Sequence, residues 1–343
     1  MPRIILSVVI QIIDVSFFTI IVSIMIVNSQ KRFHKGISLL IKITVFVFSF
    51  CFIGYKINSA SDTINFSQAF EHTSISCLVL ASVLMFVNWA LEAIKWKLLI
   101  SKFEQISLSK SMISVLSGIT IGIFTPNRLG EFAGRIFCLE KADKLKATIS
   151  SAIGSSFQLF LTVLAGISGY YVLEMIYEDY FQITTFISTS SVVIIFSLTL
   201  LSLSFLAFVY LNRNKRFLKY KEYIEVISQF SLAQLLFVFL LSFLRYSVFS
   251  FQYYLMLKYV GMNAAAPIFF SLIALTLLVT SVIPTFALSE ILVRSAAAVY
   301  FFGPIFPNSA AILMASLLLW FVNLAIPAMF GTVFIWKLKF FKE

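Results

Sequence analysis

Apolar residues run for about twenty positions at a time along this chain, separated by short polar or basic stretches. Clear runs occupy about 37 to 57, 73 to 94, 150 to 172, 184 to 211, 230 to 257 and 310 to 336. An α-helix needs about 20 apolar residues to cross the hydrocarbon core, and the ten-residue alternation of a membrane β-barrel is absent. The pattern predicts an all-α fold, a polytopic transmembrane helical bundle. Two shorter apolar stretches, about 111 to 125 and 264 to 283, are each followed by a proline and charged residues.

The loops orient the chain. "SQKRFHKG", the stretch from Lys95 to Lys110, "NRNKRFLKYK" and the tail with Lys337, Lys339 and Lys342 are basic, which assigns them and the C-terminus to the cytoplasm. The segments around Asp62 and Glu71, and "EMIYEDY" at 174 to 180, are acidic or weakly charged and belong outside. Crossings between these markers balance only if each short stretch leaves and returns on one side, as a re-entrant hairpin or a pair of spans. One starts from the cytoplasm and the other from outside, so they are oppositely oriented. The domain reading is an N-terminal helix and basic flank over 1–35, then one transmembrane domain over 36–343, with halves at about 36–211 and 224–340. Residues 4 to 28 read as a retained helix rather than a signal peptide, because they are too long and lack a small-residue cleavage site. Met25 is the alternative start, since "KRFHKG" behind it is a natural cytoplasmic flank.

Composition agrees with the pattern. Of 343 residues 60% are hydrophobic and 12% charged, and the mean hydropathy is +0.98, well above soluble domains. The net charge of +11 lies in short loops, where it sets topology and can meet anionic lipid headgroups; no nucleic-acid partner is expected. Cys51, Cys77 and Cys138 are widely spaced and read as small hydrophobes, with no disulfide framework, metal site or cofactor predicted.

The chemistry gathers behind the two short stretches. "TPNRLGEFAGR" supplies Pro126, Arg128, Gly130, Glu131 and Arg135; "IPTFALSEILVR" supplies Pro284, Glu290 and Arg294. Each has a proline, a small residue just before a glutamate, and an arginine four residues after it. That spacing puts glutamate and arginine on one helix face, so each motif partly neutralises itself. The prolines, with Gly130, act as structural hinges. Each proline breaks the helix and leaves the next N-terminus with free amides, a ready anion site. Ionisable groups at membrane depth cost roughly 2.5 to 3.5 kcal/mol each, so they face a polar cavity or one another. Broken helices in corresponding positions of inverted halves point to a transporter site near the midplane.

Other residues add less. Arg245 lies mid-span and is expected to be paired or to face a cavity. Glu92, Lys95, Trp89 and Trp96 in "NWALEAIKWKLLI" read as an interfacial anchor at a helix end, with the tryptophans in an aromatic belt. Gly118, Gly122, Gly130 and Gly134 have the spacing that lets helices approach closely. No catalytic constellation emerges: "GISG" at 166 to 169 lacks a histidine base, since His34 and His72 both lie upstream, and zinc-protease and phosphate-loop signatures are missing.

At "NWALEAIKWKLL", "GIFTPNRLGEFAGR" and "IPTFALSEILVR", the chain resembles the lysylphosphatidylglycerol synthase transmembrane family, also called flippase-like domain proteins, over roughly 36 to 340. Pro126, Gly130, Glu131 and Arg135 carry the most specific match; in the second motif Ala287 and Ser289 replace glycines common in the family. The family includes the membrane module of bacterial multiple-peptide-resistance factors. The resemblance implies a bacterial inner-membrane translocase of a lipid or lipid-linked anionic headgroup, without covalent chemistry and without the synthase domain. Arg128, Arg135, Arg245 and Arg294 would attract the phosphate, and Glu131 and Glu290 would hold those arginines or bind a cationic headgroup. A scaffold for an envelope-synthesis enzyme and a membrane glycosyl- or headgroup-transferase using either glutamate as base remain the alternatives.

Overall fold

A computed structural model describes residues 74–177 and 226–337, apart from Phe124, Pro126, Asn127, Pro284 and Phe286. The expected N-terminal segment, the spans at 37–57 and 184–211, Cys51 and both hinge prolines lie outside the described residues. Every regular element among those described is helical, in the order α1 Ile75–Ile100, α2 Leu108–Ile123, α3 Gly130–Phe137, α4 Lys144–Ile176, α5 Leu232–Tyr259, α6 Ala266–Val282, α7 Ala287–Phe302, α8 Ser309–Trp320, a π turn Phe321–Ala325, and α9 Ile326–Lys337. Four helical stretches, α1, α4, α5 and Ser309–Phe334, are long and apolar enough to cross a membrane. This is a multi-pass membrane protein.

Local sequence sets the helix ends. Asp143 accepts the amides of Leu145 and Lys146 to start α4. Ser231 and Gln234 cap each other's backbone amides reciprocally at the start of α5. Asn308 accepts from Ala311 at the start of α8. The run expected at 310 to 336 is interrupted by the π turn. Pro327 has no N–H for the carbonyl four residues back, and the helix widens just before it.

The helices are sorted by what their faces meet. On α1, Ile75, Val79, Val83 and Phe86 are exposed, as lipid-facing residues are, while Met85, Trp89, Glu92, Trp96 and Leu99 are buried. The inward face of α1 packs on α5, α2 and α4, and α6 packs on α4. Two corrections follow. α1 continues to Ile100, past the expected end at 94, so Trp89 and Trp96 are core residues rather than an aromatic belt. Glu92 and Lys95, each 2% exposed, lie inside the bundle rather than at an interface.

The two short apolar stretches form helix–break–helix pairs, α2 with α3 and α6 with α7, each pair packed together. In the first, backbone meets backbone: a Cβ added at Gly134 would lie 2.5 Å from the Gly118 Cα, and one at Gly130 2.5 Å from the Ile121 carbonyl. The expected close approach of these glycines is thus present, and no side chain fits between the helices.

Candidate functional site

The first break is held by one hydroxyl. Thr125 donates to the Gly122 carbonyl at 3.1 Å, tying off α2, and accepts the Gly130 amide at 2.7 Å, starting α3. The Phe132 amide bonds to the Leu129 carbonyl. Two of the free amides expected at this N-terminus, those of Gly130 and Phe132, are therefore taken. Between Thr125 and Gly130, Arg128 adopts φ 54°, a left-handed conformation unusual for a residue with a Cβ and typical of functional sites.

That backbone turn aims Arg128 at both motifs. Its guanidinium lies 2.7 Å from Glu290 and 3.6 Å from Glu131. Arg294 pairs with Glu290 one turn back along α7. Arg135 lies 3.5 Å from Glu131, its i, i+4 partner, but closer, at 2.9 Å, to Glu92 of α1. Glu92 also binds Arg245 of α5 at 3.0 Å and Lys95 at 2.7 Å. The result is one alternating line: Arg245, Glu92, Arg135, Glu131, Arg128, Glu290, Arg294. Lys95 branches from Glu92.

Aromatic faces back the guanidinium groups, with Trp89 5.1 Å from Arg245, Trp96 5.8 Å from Arg135 and Phe249 5.6 Å from Arg294. Trp96 is fixed in turn by donating to Ser114, whose hydroxyl donates to the Arg135 carbonyl. Two ends of the α3 residue are thus anchored by the same pair.

The line borders a cavity of about 420 Å³. Arg128, Glu131, Arg135, Arg245, Glu290 and Arg294, the six residues singled out in the sequence, all line it. Gly130 sits behind them at the α2–α3 contact. Arg128, Glu131 and Arg245 keep side-chain exposures of 31%, 20% and 21%, whereas Glu92 keeps 3%. The first three open to the cavity and Glu92 is its buried support. Five cations face three carboxylates, a formal excess of two positive charges among the described residues.

Sequence reasoning passed over two groups. Glu92 and Lys95 were assigned to an interface, although with Asn88 they form an i, i+4, i+7 row on one face of α1. Ser151, Ser155, Gln158 and Thr162 of α4 also line the cavity. Their i, i+4, i+7, i+11 spacing, which puts four polar residues on one helix face, was the available signal. Ser151 meets the line directly, accepting from Arg135 at 3.3 Å.

These helices define a multi-pass α-helical membrane protein with a charged cavity between two interrupted helix pairs. The chain belongs to the lysylphosphatidylglycerol synthase transmembrane family: the family model described as "Lysylphosphatidylglycerol synthase TM region" matches residues 37–331. A search of curated proteins finds no match.

Proposed function

We propose that this protein moves a phosphate-bearing lipid or lipid-linked headgroup between membrane leaflets, with no covalent chemistry. The observation that carries the reading is the cavity wall, where four arginines outnumber two carboxylates inside a membrane bundle. Uncompensated charge in a low-dielectric site is costly until an anion arrives. Arginine suits that anion, because its planar fork holds phosphate oxygens bidentately.

On this reading Arg128, Arg135, Arg245 and Arg294 bind the phosphate, and Glu131 and Glu290 hold the arginines in register. Glu92 and Lys95 anchor the line to α1. The polar row on α4 gives the headgroup a hydrated path beside the lipid. The two helix–break–helix pairs act as oppositely oriented re-entrant hairpins of inverted halves. The basic loops favour a bacterial cytoplasmic membrane with the C-terminus inside.

The test is leaflet translocation of fluorescent phospholipids in proteoliposomes. Wild type moves them, and Arg128→Ala or Arg294→Ala slows movement by about tenfold or more, the scale of a lost charge-assisted hydrogen bond. Folded wild-type protein that moves no phosphate-bearing lipid refutes the reading, as do alanine variants that move it at the wild-type rate.

A further inference from the structure

Two carboxamide oxygens that the ion-pair line does not use belong to residues lining the cavity and lack a donor among the described residues, those of Gln158 on α4 and Asn88 on α1, and Asn88 is the more deeply buried residue. Asn88 is 1% exposed, lies one turn before Glu92 on α1, and lines the cavity. Its amide nitrogen donates to the Asn323 side-chain oxygen at 3.2 Å, and Asn323 donates to the Leu319 carbonyl at 3.3 Å. This order of donors fixes both carboxamides. A backbone carbonyl only accepts, so Asn323 must turn its nitrogen to Leu319 and its oxygen to Asn88. Asn88 then spends its nitrogen on Asn323, and its Oδ1 accepts no hydrogen bond among the described residues.

The arrangement begins with Pro327. Its missing N–H accompanies the π turn, the π turn carries Asn323, and the turn packs on α1, where Asn323 clamps Asn88. A buried carboxamide oxygen that the fold supplies with no donor forgoes the hydrogen bond it could make. Retained at the wall of a cavity, it is a position prepared for a donor that comes from elsewhere.

Resting on the reading that the cavity takes a phosphate-bearing headgroup, we infer that Asn88 Oδ1 selects headgroups that carry a hydrogen-bond donor, a hydroxyl or a protonated amine, beside the phosphodiester. The arginines hold the phosphate oxygens, which only accept. Asn88 meets the donor, which the arginines cannot. Headgroups that end in methyl groups leave Oδ1 unpaired and bind less well.

The experiment measures binding of four lipids with identical acyl chains to the purified full-length protein, by competition against one fluorescent phospholipid. Phosphatidylglycerol and phosphatidylmethanol share one negative charge and differ in hydroxyl donors. Phosphatidylethanolamine and phosphatidylcholine share a zwitterion and differ in N–H donors. The expected result is about fivefold tighter binding of the donor-bearing member in one pair or both, the scale of one hydrogen bond. The pair that shows it distinguishes hydroxyl from amine. In Asn88→Leu, and in Asn323→Leu where Asn88 loses its clamp, the ratio falls toward one. Equal binding within both wild-type pairs overturns the inference while leaving the phosphate site intact. Failure of all four lipids to bind overturns the functional reading and this inference with it.

Discussion

Glu92 pairs with three cations at once inside the bundle. Its carboxylate lies within 2.7 Å of Lys95, 2.9 Å of Arg135 and 3.0 Å of Arg245, at 2% exposure. Glu92→Gln keeps the shape and removes the charge, leaving three cations around a neutral amide. Breaking one buried pair costs about 3 to 5 kcal/mol, because the remaining charge stays desolvated. Here three cations lose their common partner, and among the described residues only Arg135 retains a second carboxylate, Glu131 at 3.5 Å. The expected loss is therefore at least about 3 kcal/mol. The assay is reversible unfolding in mixed detergent and SDS micelles, followed by tryptophan fluorescence. Adding Lys95→Met to Glu92→Gln removes one stranded cation and should restore at least about 1 kcal/mol, a coupling expected only between groups in contact. A Glu92→Gln protein that unfolds within about 0.5 kcal/mol of wild type would refute the account of Glu92 as the buried hub.

Three further outcomes are expected. Gly134→Ala places a methyl group 2.5 Å from the Gly118 Cα, and should cost about 1 to 3 kcal/mol by separating α2 from α3, read in the same unfolding assay. Arg128→Gly and Arg128→Ala both lose the bond to Glu290, but glycine accepts φ 54° freely, so the glycine variant should be the more stable by about 1 kcal/mol. Outside the spanning segments, Glu104 is buried, which opposes its charge, yet the amides of Lys141 and Ala142, the Lys110 ammonium and the Glu140 amide together hold its carboxyl below the ordinary range. A depressed folded value stabilises above the unfolded one and is lost as pH falls through the folded value. The drop in unfolding midpoint between pH 7 and pH 3 should therefore be smaller in Glu104→Gln than in wild type.

The legible parts of this molecule were those written in one-dimensional spacing. Apolar runs of spanning length gave the helices, and the two duplicated motifs led to five of the six residues that the fold brings to one cavity, the sixth, Arg245, standing out by its charge in mid-span. The i, i+4 rule found the pairing of Glu290 with Arg294. It could not find that Arg128 crosses to Glu290, 162 positions away, or that Arg135 lies closer to Glu92 than to Glu131. Those partners come from tertiary packing. Glu92 was misread because a charge beside tryptophans and lysines near a helix end looks the same in sequence whether the helix stops or continues. The Thr125 staple was hidden for a related reason: a hydroxyl that could cap a helix is common, and only the fold shows which amide it meets.

An alternating line of seven charges that begins and ends with arginine, with Lys95 added, has electrical consequences beyond recognition. Each elementary charge that moves through the full membrane potential exchanges about 2.3 kcal/mol per 100 mV. Among the described residues the line with Lys95 carries a formal excess of two such charges, and the phosphodiester of the proposed function would cancel one of them. Occupied and empty forms would therefore experience the same voltage with different force. On the proposed function, any motion that shifts this line relative to the bilayer would be driven or resisted about twice as strongly without the phosphodiester as with it, so voltage would act on the returning step more than on the loaded one.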